Sequence, residues 1–311
     1  VPLEGLIARH RYLSQIPGVV SVGLTIDADG QPIVLVTVEE SFSFYDAVPG
    51  DLEGWPVWIE TVRGPAQLFH APHFDRLRPL QPGVSIGQEG RNWSGTLGAL
   101  FAASDGSTHM LSCNHVMSLN DPASIGTLIV QPSLPDGGLP GDPGVARITH
   151  FTPWILGGAI NTLDVALARV LSPPVNTAPV HLGVPTGVFR HPVLGEVVRK
   201  SGRTTGLTSG RVVAVDLDVS VNMFNTGMAT FVDVIRVDAD PGMPAFTIGG
   251  DSGSMVYDAN MNAVGLFFAG VTDAVPSMGY LLNPLHVYNY LVQQLGLPPP
   301  PTALTLELGP D

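Results

Sequence analysis

From about residue 84 onward, the chain consists mainly of short apolar runs separated by turn signals. These runs have the length of β-strands, and Gly, Pro, Asn or Asp residues lie between them. Such a pattern is typical of a β-barrel or a β-sandwich, so this part of the chain is predicted to be mostly β. Examples are SGTLGALFAAS (94–104), THMLSCNHVM (108–117), VALARVL (165–171), GRVVAVDLDVSV (210–221) and FVDVIRVDAD (231–240).

The first 62 residues have a different pattern and predict a small α/β module. Apolar side chains first recur at helical spacing, and alternating runs of strand length then flank an Asp-Ala-Asp-Gly turn. We expect this module to remain attached to the rest of the chain as a docking or folding element. The predicted elements are a helix (3–16), strands at 19–26, 32–39 and 56–62, a hairpin turn at 27–30 and a linker at 63–83.

The C-terminal end predicts one helix and an extended tail. Apolar residues recur at helical spacing over 284–297, and the four prolines at 298–301 then end the helix. The tail at 302–308 alternates polar and apolar residues, as an edge strand does. Two interpretations stay open: a strand added to the chain's own barrels or to a neighbouring subunit of a homo-oligomer, and a frayed terminus.

Composition and charge exclude several classes of function. The net charge is −13, with 14 basic and 27 acidic residues, so the protein repels phosphate backbones and nucleic acid is not expected as a partner. No apolar run reaches the roughly 18 residues that span a bilayer, so no membrane association is expected. Cys113 is the one cysteine, which rules out an internal disulfide; with no export signal visible, a cytoplasmic location is slightly favoured over secretion.

The string Gly249-Gly250-Asp251-Ser252-Gly253-Ser254 precedes an apolar strand and is a candidate nucleophile turn. Ser252 needs a base to take its proton and donors for the oxyanion that forms on attack. The flanking glycines allow a tight turn in which the Gly250 and Ser252 amides point into one small space. The alternative is a Gly-rich hairpin with an exposed serine.

His115 and Asp164 are candidates for the base and for its orienting carboxylate. His115 ends an apolar run, and a histidine in such a position is also a common core residue. Asp164 directly precedes an apolar strand, and an aspartate there is equally a turn residue or a helix cap. The chain order His, Asp, Ser matches chymotrypsin-type enzymes and differs from subtilisin and α/β-hydrolases.

Together these motifs resemble those of the bacterial chymotrypsin-like serine proteases of the α-lytic protease and streptogrisin kind. Lys200-Ser201-Gly202-Arg203-Thr204-Thr205-Gly206 is similar to a hairpin of their second barrel, and the resemblance covers roughly residues 84–295. With the N-terminal module included, the chain also resembles the plant narrow-leaf-type trypsin-like proteins. The resemblance implies a double β-barrel, with barrel one at about 84–175 and barrel two at about 176–283.

The resemblance also implies the roles of the site residues. Ser252 is the nucleophile, His115 the general base and Asp164 its orienting carboxylate, while the amides of Gly250 and Ser252 form the oxyanion hole. In these families a serine hydroxyl on the strand after the nucleophile supports the carboxylate. Here Phe268 aligns with that serine, so the support of Asp164 departs from the family pattern.

The resemblance places the substrate pocket just before the nucleophile and on the strand after it. No carboxylate stands at its base, where a cationic substrate side chain would lack a partner, so cleavage after apolar or small residues is expected. The expected pocket residues are Phe246, Thr247, Phe267, Phe268 and Gly270.

The leading functional hypothesis is a serine endopeptidase acting on proteins or peptides. A catalytically silent, protease-like binding module and an ester hydrolase of the same fold are the alternatives. No cofactor is expected. No metal is expected either, because the His- and Asp-containing stretch at 70–75 is predicted to be a solvated loop and not a zinc site. Cys113 is interpreted as a small buried hydrophobe.

Overall fold

The computed structural model describes residues 6, 10–26, 31–39, 42–62, 73–171, 174–224, 226–241, 243, 245–271 and 277–299. The chain divides into two compact units, Val1–Phe69 and His70–Asp311. The predicted hairpin turn at 27–30 and the tail at 302–308 lie outside the described residues. Six of the fourteen residues of the predicted helix at 3–16 also lie outside them, and its described part contains a 3₁₀ helix at Arg11–Gln15.

The first unit contains a four-stranded sheet with the order β1-β2-β4-β3. β1 and β2 are antiparallel, whereas β2 and β4 are parallel. Alternate residues of β2, Val34, Val36 and Val38, are fully buried, so one face of the sheet covers a core. Its strands are β1 (Val19–Ile26), β2 (Pro32–Glu39), β3 (Asp51–Leu52) and β4 (Trp55–Val62), and a second 3₁₀ helix covers Tyr45–Ala47.

Seven strands of the second unit form a sheet that closes on itself. Its order is β6-β5-β9-β10-β12-β8-β7. β6 and β7 are separated by only two residues, and they pair with opposite ends of the sheet, β6 with β5 and β7 with β8. This near-continuous bent strand joins the two ends and makes the sheet a barrel. The strands are β5 (Ser85–Gln88), β6 (Gly95–Thr96), β7 (Ala99–Ala102), β8 (Thr108–Ser112), β9 (Leu128–Val130), β10 (Ala146–Phe151) and β12 (Ala166–Val170).

A second seven-stranded sheet also closes. Its order is β11-β15-β14-β13-β16-β17-β18, and β15 pairs in addition with β18. That extra pairing completes a ring of six strands, so the predicted mostly β, double-barrel architecture is confirmed. The strands are β11 (Ile160–Asn161), β13 (Val197–Gly202), β14 (Gly206–Asn222), β15 (Met228–Ala239), β16 (Met255–Tyr257), β17 (Ala263–Val271) and β18 (Met278–Leu282).

Two α-helices are described in the second unit, α1 (Asn114–Met117) and α2 (Pro284–Leu295), besides 3₁₀ helices at Pro122–Ser124 and Leu134–Asp136. The Asn283 side chain accepts a hydrogen bond from the backbone N–H of Leu285 and caps the start of α2. Gly296 adopts a left-handed conformation, so the helix ends two residues before its predicted limit at 297. Within the part of the chain that the structure describes, no helix is both long and apolar enough to cross a membrane.

Candidate active site

His115 and Asp164 are held together by the pairing of two neighbouring strands. Ser112, the last residue of β8, lies opposite Ala166, the first residue of β12. The segments beyond these two residues therefore emerge at the same edge of barrel one. His115 lies in α1 just after β8, and Asp164 lies just before β12.

The two side chains are joined by direct hydrogen bonds in a buried setting. Nδ1 of His115 hydrogen-bonds Oδ2 of Asp164, and the backbone N–H of His115 donates to Oδ1 of Asp164 at 3.1 Å. The exposed fraction is 6% for His115 and 0% for Asp164. With Nδ1 engaged by the carboxylate, Nε2 is the imidazole nitrogen left to accept a proton.

Ser252 lies in a tight turn that leads into β16. Gly250 and Gly253 adopt positive φ angles of 96° and 94°. A Cβ atom at Gly250 would collide with the side chains of Arg203 and Thr204, and one at Gly253 would collide with Ser112. Glycine is therefore required on both sides of Ser252 by conformation and by space.

The turn that contains Ser252 and the segment that contains His115 both hydrogen-bond to the backbone of β17. The carbonyl oxygen of Phe267 accepts hydrogen bonds from the N–H of Gly253 at 2.8 Å and from Sγ of Cys113 at 3.4 Å. Ser252 is half-buried, and its Oγ donates to the carbonyl oxygen of Phe268 at 3.4 Å. Among the hydrogen bonds of the described residues, none joins Ser252 to His115.

Two backbone donors in the serine turn lack an acceptor. The N–H of Asp251 bonds to the carbonyl of Ile248 and that of Gly253 to the carbonyl of Phe267. The N–H groups of Gly250 and Ser252 have no hydrogen-bond partner among the described residues. Unpaired backbone N–H groups are rare in folded proteins, and two of them flanking Asp251 offer an anion a pair of donors.

The Asp251 side chain stabilises this turn through buried hydrogen bonds. Its side chain is fully buried and accepts hydrogen bonds from the Lys200 ammonium at 3.1 Å, from the N–H of Thr204 at 2.9 Å and from the N–H of Thr205 at 3.0 Å. Burial by itself raises the pKa of the Asp251 carboxyl, but the Lys200 charge and the hydrogen bonds outweigh it and hold that pKa below its ordinary value. Sequence reasoning found the hairpin at 200–206 but not this role of Lys200.

A cavity of about 240 Å³ opens beside Ser252. Of the five expected pocket residues, the structure places Thr247, Phe267 and Gly270 in its wall. Its lining carries no charged side chain. The full set is Thr247, Ile248, Gly249, Ser252, Phe267, Ala269 and Gly270.

Phe246 and Phe268 do not line the cavity, which corrects the expectation from the sequence. Successive side chains of a strand point to opposite faces. Phe267 therefore turns toward the cavity, while the ring of Phe268 packs against Phe231 at a centroid distance of 4.8 Å. Phe246 is fully buried, and Lys200 Nζ lies 5.6 Å from the centre of its ring.

Thr247 in the cavity wall has a buried hydroxyl group, which sequence reasoning missed. This residue is fully buried, and its Oγ1 has no hydrogen-bond partner among the described residues. A buried hydroxyl without a partner is costly unless water or a ligand reaches it. The residue type alone gave no signal for this, because threonine usually finds a partner within its own strand or turn.

The tip of the long β14–β15 hairpin reaches the histidine. The ring of Phe224 lies 5.7 Å from that of His115 and 4.7 Å from that of Trp93, measured between centroids. Met223 beside it is buried in the main core, so the hairpin tip is packed in place. Phe224 thus places an aromatic ring beside His115. The sequence did not indicate this contact, because Phe224 lies 109 residues from His115.

Comparison with known proteins gives matches among solved structures. No protein-family model and no curated protein matches the chain. Thermobifida fusca Protease A matches at 18% identity with a TM-score of 0.47, and the Nocardiopsis protease at 16% with a TM-score of 0.48. The chymotrypsin of Cellulomonas bogoriensis matches at 17% with a TM-score of 0.46. Each alignment covers 70% of this chain and 96% of the other. The matched structures are chymotrypsin-like serine proteases.

Proposed function

We propose that this chain is a serine endopeptidase that hydrolyses peptide bonds through an acyl-enzyme intermediate. The observation that carries the proposal is the buried His115–Asp164 pair, which meets the Ser252 turn at the backbone of β17. An imidazole with a fixed tautomer, a hydroxyl in a constrained turn and two free N–H donors are the parts that acyl transfer requires.

In the proposed reaction, Oγ of Ser252 attacks the scissile carbonyl carbon while Nε2 of His115 takes the hydroxyl proton. In this proposal the new oxyanion is held by the N–H groups of Gly250 and Ser252, which have no hydrogen-bond partner among the described residues. His115 then passes its proton to the leaving amine, and the acyl group stays on Ser252 until water releases it. Asp164 holds the imidazole and stabilises its positive charge.

The hydrogen bond from Ser252 to the Phe268 carbonyl bears on this proposal. Among the hydrogen bonds of the described residues it takes the place of one to His115, as a catalytically silent binding module would also show. Catalytic hydrogen bonds are often long or misaligned without substrate and tighten in the complex. A change in the Ser252 side-chain torsion would redirect the hydroxyl, so the geometry is compatible with an active enzyme.

We further propose that the residue before the scissile bond is neutral. The cavity wall has no carboxylate to pair with Lys or Arg and no cation to pair with Asp or Glu. Burying an unpaired charge there would be unfavourable. The Phe267 ring and the small residues Ala269 and Gly270 in the cavity wall favour apolar or small side chains.

A peptide-library cleavage assay tests the proposed function, with Ser252→Ala as the matched inactive variant. The expected result is endoproteolytic cuts after neutral residues, which disappear in Ser252→Ala. Cuts after Arg or Lys would contradict the assignment of the cavity. Turnover of small esters without any peptide cleavage would identify an ester hydrolase of the same fold and contradict the peptidase proposal.

A further inference from the structure

The carboxylate of Asp164 has a third polar neighbour besides the two N–H groups of His115. The thiol sulfur of Cys113, a ring nitrogen of His115 and a carboxylate oxygen of Asp164 all lie within 4.8 Å of one another. All three residues are buried. Cys113 immediately precedes α1, so its position relative to His115 is fixed by the same turn.

A fully buried carboxylate needs more donors than one residue supplies. Asp164 accepts from the backbone and from the ring of His115, whereas a carboxylate has about four lone-pair sites. Phe268, at the junction with the serine turn, has no polar side-chain atom to contribute. The thiol of Cys113 is a further side-chain donor close to the carboxylate.

The thiol is suited to donate and unsuited to act as a nucleophile. Burial, together with the negative charge of Asp164, raises the pKa of Cys113, so its sulfur keeps its proton. The other acceptor in reach is the neutral carbonyl oxygen of Phe267 at 3.4 Å, which also receives the N–H of Gly253 at 2.8 Å. An ionised carboxylate is a stronger acceptor than a neutral carbonyl, which favours Asp164 for the single S–H proton.

We propose that Cys113 is a positioning residue whose S–H group donates to Asp164 and keeps that carboxylate aligned with His115. Its effect on turnover rests on the proposed peptidase function, whereas the contact itself does not. With this donor removed, the carboxylate is free to rotate away from the imidazole ring.

The kinetic test compares Cys113→Ala, which removes the donor, with Cys113→Ser, which replaces the thiol by a hydroxyl donor. Cys113→Ala is expected to lower kcat about threefold to tenfold with little change in KM. Cys113→Ser should stay within about twofold of the wild type.

A residue that only fills space predicts no such difference between the two variants. The serine hydroxyl would still have the Phe267 carbonyl as an acceptor, so Cys113→Ala and Cys113→Ser would then have similar kcat values. That outcome would overturn the proposal.

A spectroscopic test needs no turnover and separates this inference from the proposed function. The chain has one cysteine, so its S–H stretching band in the infrared spectrum has a single origin. In Asp164→Asn the charged acceptor becomes neutral, and the band is expected to move to higher frequency. Asp258→Asn, which changes a buried carboxylate bonded to Arg190 instead, should leave the band in place.

An S–H band that does not respond to Asp164→Asn would overturn the proposed contact, because the thiol would then donate to the Phe267 carbonyl alone. A band that does respond, in a protein that cleaves no peptide, would support the contact while refuting the peptidase function.

Discussion

Lys200 and Asp251 form an ion pair that solvent does not reach, with 3.1 Å between Nζ and Oδ2 and 0% exposure of both side chains. Asp251 lies between Gly250 and Ser252, whose N–H groups have no acceptor in the part of the chain that the structure describes. The pair therefore stabilises the backbone conformation of the turn that contains Ser252. Because Lys200 comes from β13, the turn is held by the strand that pairs with β16.

Removing the cation should damage both the fold and the site. Lys200→Met leaves an uncompensated buried carboxylate, so we expect a loss of about 3–5 kcal/mol in the free energy of unfolding and a loss of peptidase activity. Urea unfolding and initial rates measure the two effects. Arg211→Met is the matched control, because Arg211 is exposed and should change stability by less than about 0.5 kcal/mol. Equal stability of the two variants would show that the pair does not hold the turn.

The same pair predicts a dependence of stability on pH. The folded-state pKa of Asp251 lies below its ordinary value, so the contribution of this carboxyl to stability is fully present above its unfolded pKa of about 3.9. It is lost as the pH falls through the folded pKa. The stability advantage of the wild type over Asp251→Asn should therefore shrink as the pH falls below about 4. Denaturant unfolding at several pH values checks this, and an advantage that grows toward acid would contradict the assigned direction.

Gly250 should not tolerate a side chain. Gly250→Ala combines a left-handed backbone with a collision against Arg203 and Thr204, so it should displace one oxyanion donor and lower kcat by about a hundredfold or more. Gly141→Ala is the control, because Gly141 has a positive φ of 84° with open space around it. The control should cost about 1–2 kcal/mol of stability at unchanged kcat. Comparable activity of both variants would show that the N–H group of Gly250 is not an oxyanion donor.

The chain's local patterns were sufficient to predict most of the fold. The strands at 19–26 and 32–39 coincide with β1 and β2, since alternation is a property of neighbouring residues. The closure of each barrel could not be predicted from such local patterns. It depends on pairings such as that of β15 with β18, whose register is set by packing over long sequence separations.

The candidate site was predictable where its chemistry lies in short strings, as for Ser252 and its glycines. The partners that cross between strands were not. Lys200 is 51 residues from Asp251, and nothing in its own neighbourhood marks it as buried. Phe246 and Phe268 were assigned to the pocket by alignment alone, and the direction in which each ring points depends on strand register, which the sequence does not state.

Thr247 provides a test of packing beside the cavity. Thr247→Val replaces the hydroxyl with a methyl group of similar size, so no cavity forms and no hydrogen bond of a described residue is lost. We expect unchanged or higher thermal stability, because a buried polar group is replaced by an apolar one of the same shape. Thermal unfolding measures this, and a clear loss of stability would show that the hydroxyl has a partner in the folded protein.

Covalent labelling of Ser252 tests the central claim most directly. An alkyl fluorophosphonate reacts with a serine that is activated by a base and flanked by oxyanion donors, and mass spectrometry of the intact protein and of its peptides locates the adduct. The account predicts one adduct per chain on Ser252, its absence in Ser252→Ala and its strong suppression in His115→Ala. A folded wild-type protein that takes up no probe, or a Ser252→Ala variant labelled as fast as the wild type, would contradict the account.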